Sequence, residues 1–262
     1  MTMHLGLENK VIIVTGGSKG IGSGIVTTLA QEGALPIIIG RDQAHILEVV
    51  KTYSDQNLRV GSAFAELTDP DQCEQAVRQI RNKYGAIYGL VNNAGINDGV
   101  GLEKGTYEDF MKSIKRNLAH YYTMAQLVLP DLKKSKGAIV NIGSKTATTG
   151  QGNNSGYAAA NGGRDALTRE WAVELLPYSI RVNSVIVAEC YTPLYDKWIH
   201  TFDNPEEKRK SITKKIPLEK RMTTKEEIAD MVVFLLSNRS SHTTGQLIYV
   251  DGGYTHLDRA IQ

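Results

Sequence analysis

Cysteine is scarce in this chain: 262 residues contain two, Cys73 and Cys190. They lie far apart, with no histidine nearby at ligand spacing, so neither a disulfide framework nor a metal site is expected and both read as reduced thiols. No apolar run approaches the roughly 18 residues of a membrane span, and no charged-then-apolar leader opens the chain. A cytoplasmic protein without membrane attachment is expected. Nor does charge of one sign dominate: 30 Lys and Arg against 28 Asp and Glu leave a net charge of +2, and the charges are interspersed. That balance argues against a nucleic-acid partner and favours a small molecule. Linkers and low-complexity tracts are also missing, and 41% hydrophobic residues over this length suit one large α/β domain.

What is present is an alternation of short apolar runs with longer helical stretches. Strands are expected at Lys10 to Thr15, Leu35 to Ile39, Arg59 to Phe64, Ile87 to Val91, Ala138 to Ile142, Ile180 to Val187 and Leu247 to Val250. Helices are expected from Ile21 to about Gly33, at His45 to Tyr53, at Pro70 to Tyr84, and as long elements near Tyr107 to Leu132 and Ser155 to Leu176. Near-continuous apolar strands separated by helices imply a seven-stranded parallel sheet covered on both faces, a doubly wound Rossmann fold. Ligands then bind beyond the carboxyl ends of the strands.

The first strand-to-helix turn reads Thr15-Gly16-Gly17-Ser18-Lys19-Gly20-Ile21-Gly22. Gly16 permits a tight exit from the strand, while Gly20 and Gly22 let backbone and helix N-terminus approach a pyrophosphate. Further on stand Ser144, Tyr157 and, four residues later, Asn161. A tyrosine used as a base near neutral pH must have its pKa of about 10 lowered by several units, and a cation one turn away on the same helix face does this. Asn161 is an amide instead. A unit charge at about 4 Å and an effective dielectric near 20 contributes roughly 4 kcal/mol, or about three pKa units. Alcohol oxidation is therefore expected to be weak at neutral pH and to recover at high pH, while carbonyl reduction, which uses neutral tyrosine as the acid, suffers less.

Together, the Thr15 to Gly22 loop, Asn92-Asn93-Ala94-Gly95, Asn117, Ser144, Tyr157 and Val250-Asp251-Gly252-Gly253 resemble the short-chain dehydrogenase/reductase family over essentially the whole chain. The stretches Ser144 to Gly152, Ala188-Glu189, Thr192 to Tyr195 and Gly253 to Arg259 are similar to the L-fucose dehydrogenase-like sugar dehydrogenases. The resemblance implies that Asn93, Ala94 and Gly95 close the adenosine side of the cleft, Glu66 and Leu67 flank the adenine, and Thr192 meets the nicotinamide carboxamide. It implies that Ser144 orients the reacting oxygen, Tyr157 exchanges the proton, and Asn117 supports a relay water. The family's lysine would sit at position 161, where Asn161 keeps a ribose hydrogen bond without the charge. A homotetramer is implied as well, with His256 and the last residues within reach of a neighbouring subunit.

Cofactor choice is expected to favour NADP over NAD. Gly40-Arg41 stands where an acid would hold the ribose diol, and Lys19 lies in the glycine loop, two cations suited to a 2′-phosphate. Arg41 stacked on adenine, a solvated Lys19 and a diol held by Asp42 make the competing reading. On the substrate side, Val187-Ala188-Glu189 replaces the Pro-Gly usual in the family and puts a carboxylate near the pocket. Glu189, Lys145, Gln151 and Asn154 suit several hydroxyls, and Trp198, in a small lid around residues 193–220, suits a sugar's apolar face; packing within the lid is the other role open to Trp198. A sugar or polyol dehydrogenase acting on an L-fucose-like aldose is the expected activity. A catalytically impaired dinucleotide-binding protein and a ketone or 3-oxoacyl reductase remain the alternatives.

Overall fold

The computed structural model describes residues 4–257, so Asp258 and Arg259 of the C-terminal resemblance lie outside the described residues. Its chain alternates as β1 (Val11–Thr15), α1 (Gly20–Gln31), β2 (Leu35–Gly40), α2 (Gln43–Asp55), β3 (Gly61–Phe64), α3 (Pro70–Tyr84), β4 (Ile87–Asn92), α4 (Tyr107–Ile114), α5 (His120–Ser135), β5 (Ala138–Ser144), α6 (Ser155–Glu174), β6 (Arg181–Val187), α7 (Pro193–Ile199), α8 (Pro205–Thr213), α9 (Lys225–Leu236) and β7 (Leu247–Val250). The strands form one parallel sheet in the order β3-β2-β1-β4-β5-β6-β7. Strand order reverses between β1 and β4, and the crevice beyond their carboxyl ends is where such sheets bind ligands.

Side-chain alternation along each strand divides the core into two layers. Ile12 and Val14 of β1 face a layer completed by Ile25, Val26 and Leu29 of α1 and by Ile228, Val232 and Leu236 of α9. Val11 and Ile13 face the opposite layer, built with Val77 and Ile80 of α3, Tyr121, Met124 and Val128 of α5, and Trp171 of α6. Both faces of the central strands are therefore covered, which is why most strands read as largely apolar runs, with Asn141, Asn183 and Ser184 as buried polar exceptions.

Three expectations are corrected. The first and third strands begin at Val11 and Gly61 rather than Lys10 and Arg59. The long helix expected near Tyr107 to Leu132 is two helices joined by a π-helical turn at Lys115–Ala119, which swings Asn117 into the interior. The sequence reading also passed over α9, whose N-terminus is marked by a capping box in which Thr224 and Glu227 accept reciprocally from each other's backbone. Cys73 and Cys190 are buried free thiols, and burial pushes them up to about 11 and about 12. Among the described residues no helix is long and apolar enough to cross a membrane.

Candidate active site

The glycine loop is held by Thr15, at the end of β1. Its Oγ1 donates to the Val91 carbonyl and accepts from the backbone N–H groups of Asn93 (2.9 Å) and Ala94 (3.1 Å). Asn93 returns the contact, its Nδ2 donating to the Thr15 and Gly16 carbonyls. One hydroxyl thus clamps the exits of β1 and β4 together at the switch point. Gly16 has φ +66°, and a Cβ on Gly22 would lie 2.3 Å from the Gly16 oxygen and 2.7 Å from Asn93 Nδ2. No side chain can enter this cradle. Lys19, the N-cap of α1, makes no side-chain cap, which leaves the first-turn N–H groups for an anion. A Cβ on Gly20 would touch Thr192 (3.3 Å), so the loop after β6 closes over the glycine loop, and Thr192 itself caps α7 through Tyr195 N. These features fit a dinucleotide phosphate: a cradle without side chains at an uncapped helix N-terminus.

At the far end of that cleft, Arg41 Nη1 donates to Glu66 Oε2 at 3.0 Å. Burial works against the Glu66 carboxylate, but Arg41 and the two hydrogen bonds from Thr68 hold it below its ordinary value. Leu67 packs on the core layer beneath. Asp42 accepts from His45 N and caps α2.

Ser144 ends β5, and its Oγ accepts from the Thr146 backbone N–H (3.3 Å) and hydroxyl (3.1 Å). Tyr157 stands in the first turn of α6. Asn161 is fully buried; its Nδ2 donates to the Tyr157 carbonyl (2.9 Å), and its Oδ1 accepts from Arg164 Nη1 (3.0 Å). Arg164 also donates from Nε to the Asn117 carbonyl (2.7 Å) and from Nη1 to the Ile142 carbonyl (3.0 Å). Asn117 Oδ1 accepts from Ile96 N (2.8 Å), and its Nδ2 donates to Ser113 Oγ, which in turn donates to Asp98. The π turn, α6 and the exit of β4 are thus tied into one network. Sequence reasoning passed over Arg164. Its signal was a charged residue on the Tyr157-Asn161 face of a helix that must be buried.

Between the loops that follow β5 and β6, Lys145 and Glu189 form a buried ion pair at 2.8 Å. The Lys145 ammonium also lies 3.9 Å from the centre of the Tyr254 ring. Tyr195, again absent from the sequence-derived set, brings its phenol beside this pair; burial first, then the Glu189 charge, push it far above its ordinary range. Trp198 instead joins an edge-to-face row, 5.1 Å from both Tyr195 and Phe202. Gln151 and Asn154 line a cavity of about 190 Å³ with Thr146, Ser155 and Ala158, built from the segment between β5 and α6 and the first turn of α6. Among the described residues no group of three or more His, Cys, Asp or Glu is placed to hold a metal.

Known proteins resemble this chain in sequence and fold. The family model described as enoyl-(acyl carrier protein) reductase matches residues 16–255. The 3-oxoacyl-[acyl-carrier-protein] reductase FabG of Thermotoga maritima is 36% identical, with 94% of this chain and 98% of the relative covered. L-fucose dehydrogenase of Bos taurus is 31% identical, with 97% and 92% covered. The crystal structure of Cj0485 dehydrogenase superposes with a TM-score of 0.93 at 46% identity, covering 99% of both chains. With the sheet order, the glycine cradle and these matches in agreement, the chain belongs to the short-chain dehydrogenase/reductase family, whose members are NAD(P)-dependent oxidoreductases.

Proposed function

We propose that this protein transfers hydride between a nicotinamide cofactor and a sugar or polyol hydroxyl, oxidising an L-fucose-like aldose at its anomeric carbon to a lactone. The observation that carries the reading is the buried Lys145–Glu189 pair beside Ser144. A buried ion pair offsets only part of its desolvation cost, and the donor and acceptor positions left on its ammonium and carboxylate suit a ligand rich in hydroxyls. Gln151 and Asn154, which line the cavity before α6, add further polar groups, and Trp198 offers an apolar face from the lid around residues 193–220.

A bound nicotinamide supplies the hydride acceptor. Ser144 Oγ orients the reacting oxygen, and Tyr157 accepts the hydroxyl proton as the C–H bond breaks. Asn117 supports the proton's exit. Gly16, Ser18, Lys19, Gly20, Ile21 and Gly22 hold the pyrophosphate; Asn93, Ala94 and Gly95 close the adenosine side, Glu66 and Leu67 flank the adenine, and Thr192 meets the carboxamide. NADP is favoured because Lys19 and Arg41 are exposed cations, Arg41 keeping its Nη2 side beyond its Glu66 pair for a phosphate, while Asp42 is engaged in capping α2. With an amide at 161, oxidation is slower at neutral pH than at a site with a lysine there, and it rises with pH. The protein works in the cytoplasm as a homotetramer. Apolar surface on Tyr107, Met111, Tyr122, Val173 and Leu176 supports self-association.

A 3-oxoacyl reductase is the second reading, favoured by the 36% identity to FabG. Steady-state rates with L-fucose and related polyols, set beside rates with a 3-oxoacyl thioester, separate the two. Sugar-dependent reduction of NADP is expected. Turnover of the thioester with none of any sugar selects the reductase, and tight cofactor binding without any turnover selects a dinucleotide-binding protein.

A further inference from the structure

Position 161 carries an amide, yet this site does not lack a cation. Arg164 lies on the same face of α6, one turn beyond Asn161, and is 3% exposed. Its Nε and Nη1 are held by three neutral oxygens, those of Asn117, Ile142 and the Asn161 side chain. Among the described residues no carboxylate forms an ion pair with it. Its Nη2 is buried without a hydrogen-bond partner among them and points toward Gly95, where a Cβ would meet it at 2.9 Å. The guanidinium carbon is 4.3 Å from the centre of the Tyr121 ring and 6.0 Å from that of Tyr157. A buried cation held only by neutral groups is costly, and a fold keeps one where its field is used.

We propose that Arg164 is the positive charge of this active site: seated by Asn161, it stabilises the Tyr157 phenolate that accepts the substrate proton. The inference rests on Tyr157 being the proton-exchanging group of the oxidoreductase proposed above. In the oxidative direction the substrate O–H bond breaks and its proton goes to the Tyr157 oxygen, while the C–H bond breaks and its electron pair leaves as hydride to oxidised nicotinamide. Arg164 neither gives nor takes a proton, because a guanidinium stays protonated. It acts through Tyr157 and is a positioning residue.

The other charges around Tyr157 are accounted for. Lys145, in the turn after β5, is paired with Glu189 from the loop after β6. From the π turn, Lys115 and Arg116 face solvent, as do Glu108, Asp109 and Lys112 of α4. Asp98 accepts from Ser113. On α6, Asp165 is buried with an acid pushed up to about 6, and Arg169 lies further along the helix. His120, at the start of α5, is held neutral at about 4 by burial and by Arg164 itself, while at Tyr121 the same guanidinium opposes the burial that raises the phenol to about 12.

The test is Tyr157 ionisation in the cofactor-free protein, read as the tyrosinate ultraviolet signal lost in a Tyr157→Phe background. Because it needs neither substrate nor turnover, it fails independently of the sugar assignment. Arg164→Gln keeps hydrogen-bonding capacity without charge, and Arg164→Lys keeps the charge. The expected result is a midpoint displaced to higher pH in Arg164→Gln and restored in Arg164→Lys. A fall in the neutral-pH oxidation rate of roughly tenfold to a hundredfold, recovered at high pH, goes with it. An unchanged midpoint in Arg164→Gln, or equal displacement in both variants, overturns the proposal. Should neither variant fold, Asn161→Lys decides. With Arg164 present it buries a second cation and lowers the melting temperature, whereas Asn161→Lys with Arg164→Leu recovers it. A single Asn161→Lys variant as stable as the parent contradicts the account.

Discussion

Asn161 and Lys145 show how one residue's meaning depends on partners that sequence spacing does not display. The Ser144, Tyr157 and Asn161 constellation was legible because helical spacing alone puts positions 157 and 161 on one face. That Asn161 spends its amide on Arg164 and on the Tyr157 carbonyl was not legible, since an amide has many possible partners. The Arg164 guanidinium carbon lies 6.0 Å from the centre of the Tyr157 ring, and a unit charge at about that range contributes at most roughly 3 kcal/mol at an effective dielectric near 20. Lys145 and Glu189 sit in different loops, and only the β5–β6 pairing brings them to 2.8 Å. Removing either partner alone strands a buried charge, so Glu189→Gln is expected to cost about 3 kcal/mol in denaturant unfolding. The Lys145→Met, Glu189→Met pair is expected to unfold near the parent midpoint while KM for the sugar rises at least about tenfold. A double variant with unchanged KM would remove the pair from substrate recognition.

At the scale of elements, strands and amphipathic helices were readable because the central strands are buried on both faces and announce themselves as largely apolar runs, while the edge strand β3, Gly-Ser-Ala-Phe, was the one whose start was misplaced most. The break in the long helix was not readable. The Lys115–Ala119 π turn carries no proline or glycine, and tertiary hydrogen bonds to Asn117 support it. The helix α9 escaped notice although Thr224 and Glu227 spell a capping box before an apolar stretch. At the exits of β1 and β4 the Thr15 hydroxyl carries three hydrogen bonds beside the two from Asn93 Nδ2. Thr15→Val keeps the shape but leaves the Asn93 and Ala94 N–H groups without their acceptor. It is expected to cost about 1–3 kcal/mol and to weaken cofactor binding, measured by thermal melts and by fluorescence titration with NADP. Unchanged affinity and stability would mean that Asn93 Nδ2 and the strand pairing hold the loop without the Thr15 hydroxyl.

Across the whole molecule, stability should fall as pH rises through the titration of Asp165. Burial lifts this acid from 3.8 to about 6, with Arg169 and Arg164 opposing, so the folded state keeps its proton longer than the unfolded chain does. The stabilisation is complete below about pH 4 and lost through about pH 6, a difference of up to roughly 3 kcal/mol. Asp165→Asn should therefore melt a few degrees higher than the parent at pH 8 and level with it near pH 4; a difference independent of pH would assign the effect to packing. Fold and cleft follow from one sheet whose order reverses at β1 and β4, and the chemistry follows from what α6 and the loops after β5 and β6 bring to that cleft. The direct test of the central claim is the initial rate of NADP and NAD reduction with L-fucose from about pH 7 to pH 10, on the parent and on Tyr157→Phe. The account predicts sugar-dependent reduction that climbs with pH, is faster with NADP, and vanishes in Tyr157→Phe. A rate that is flat in pH, or one that survives the loss of the Tyr157 hydroxyl, would contradict it.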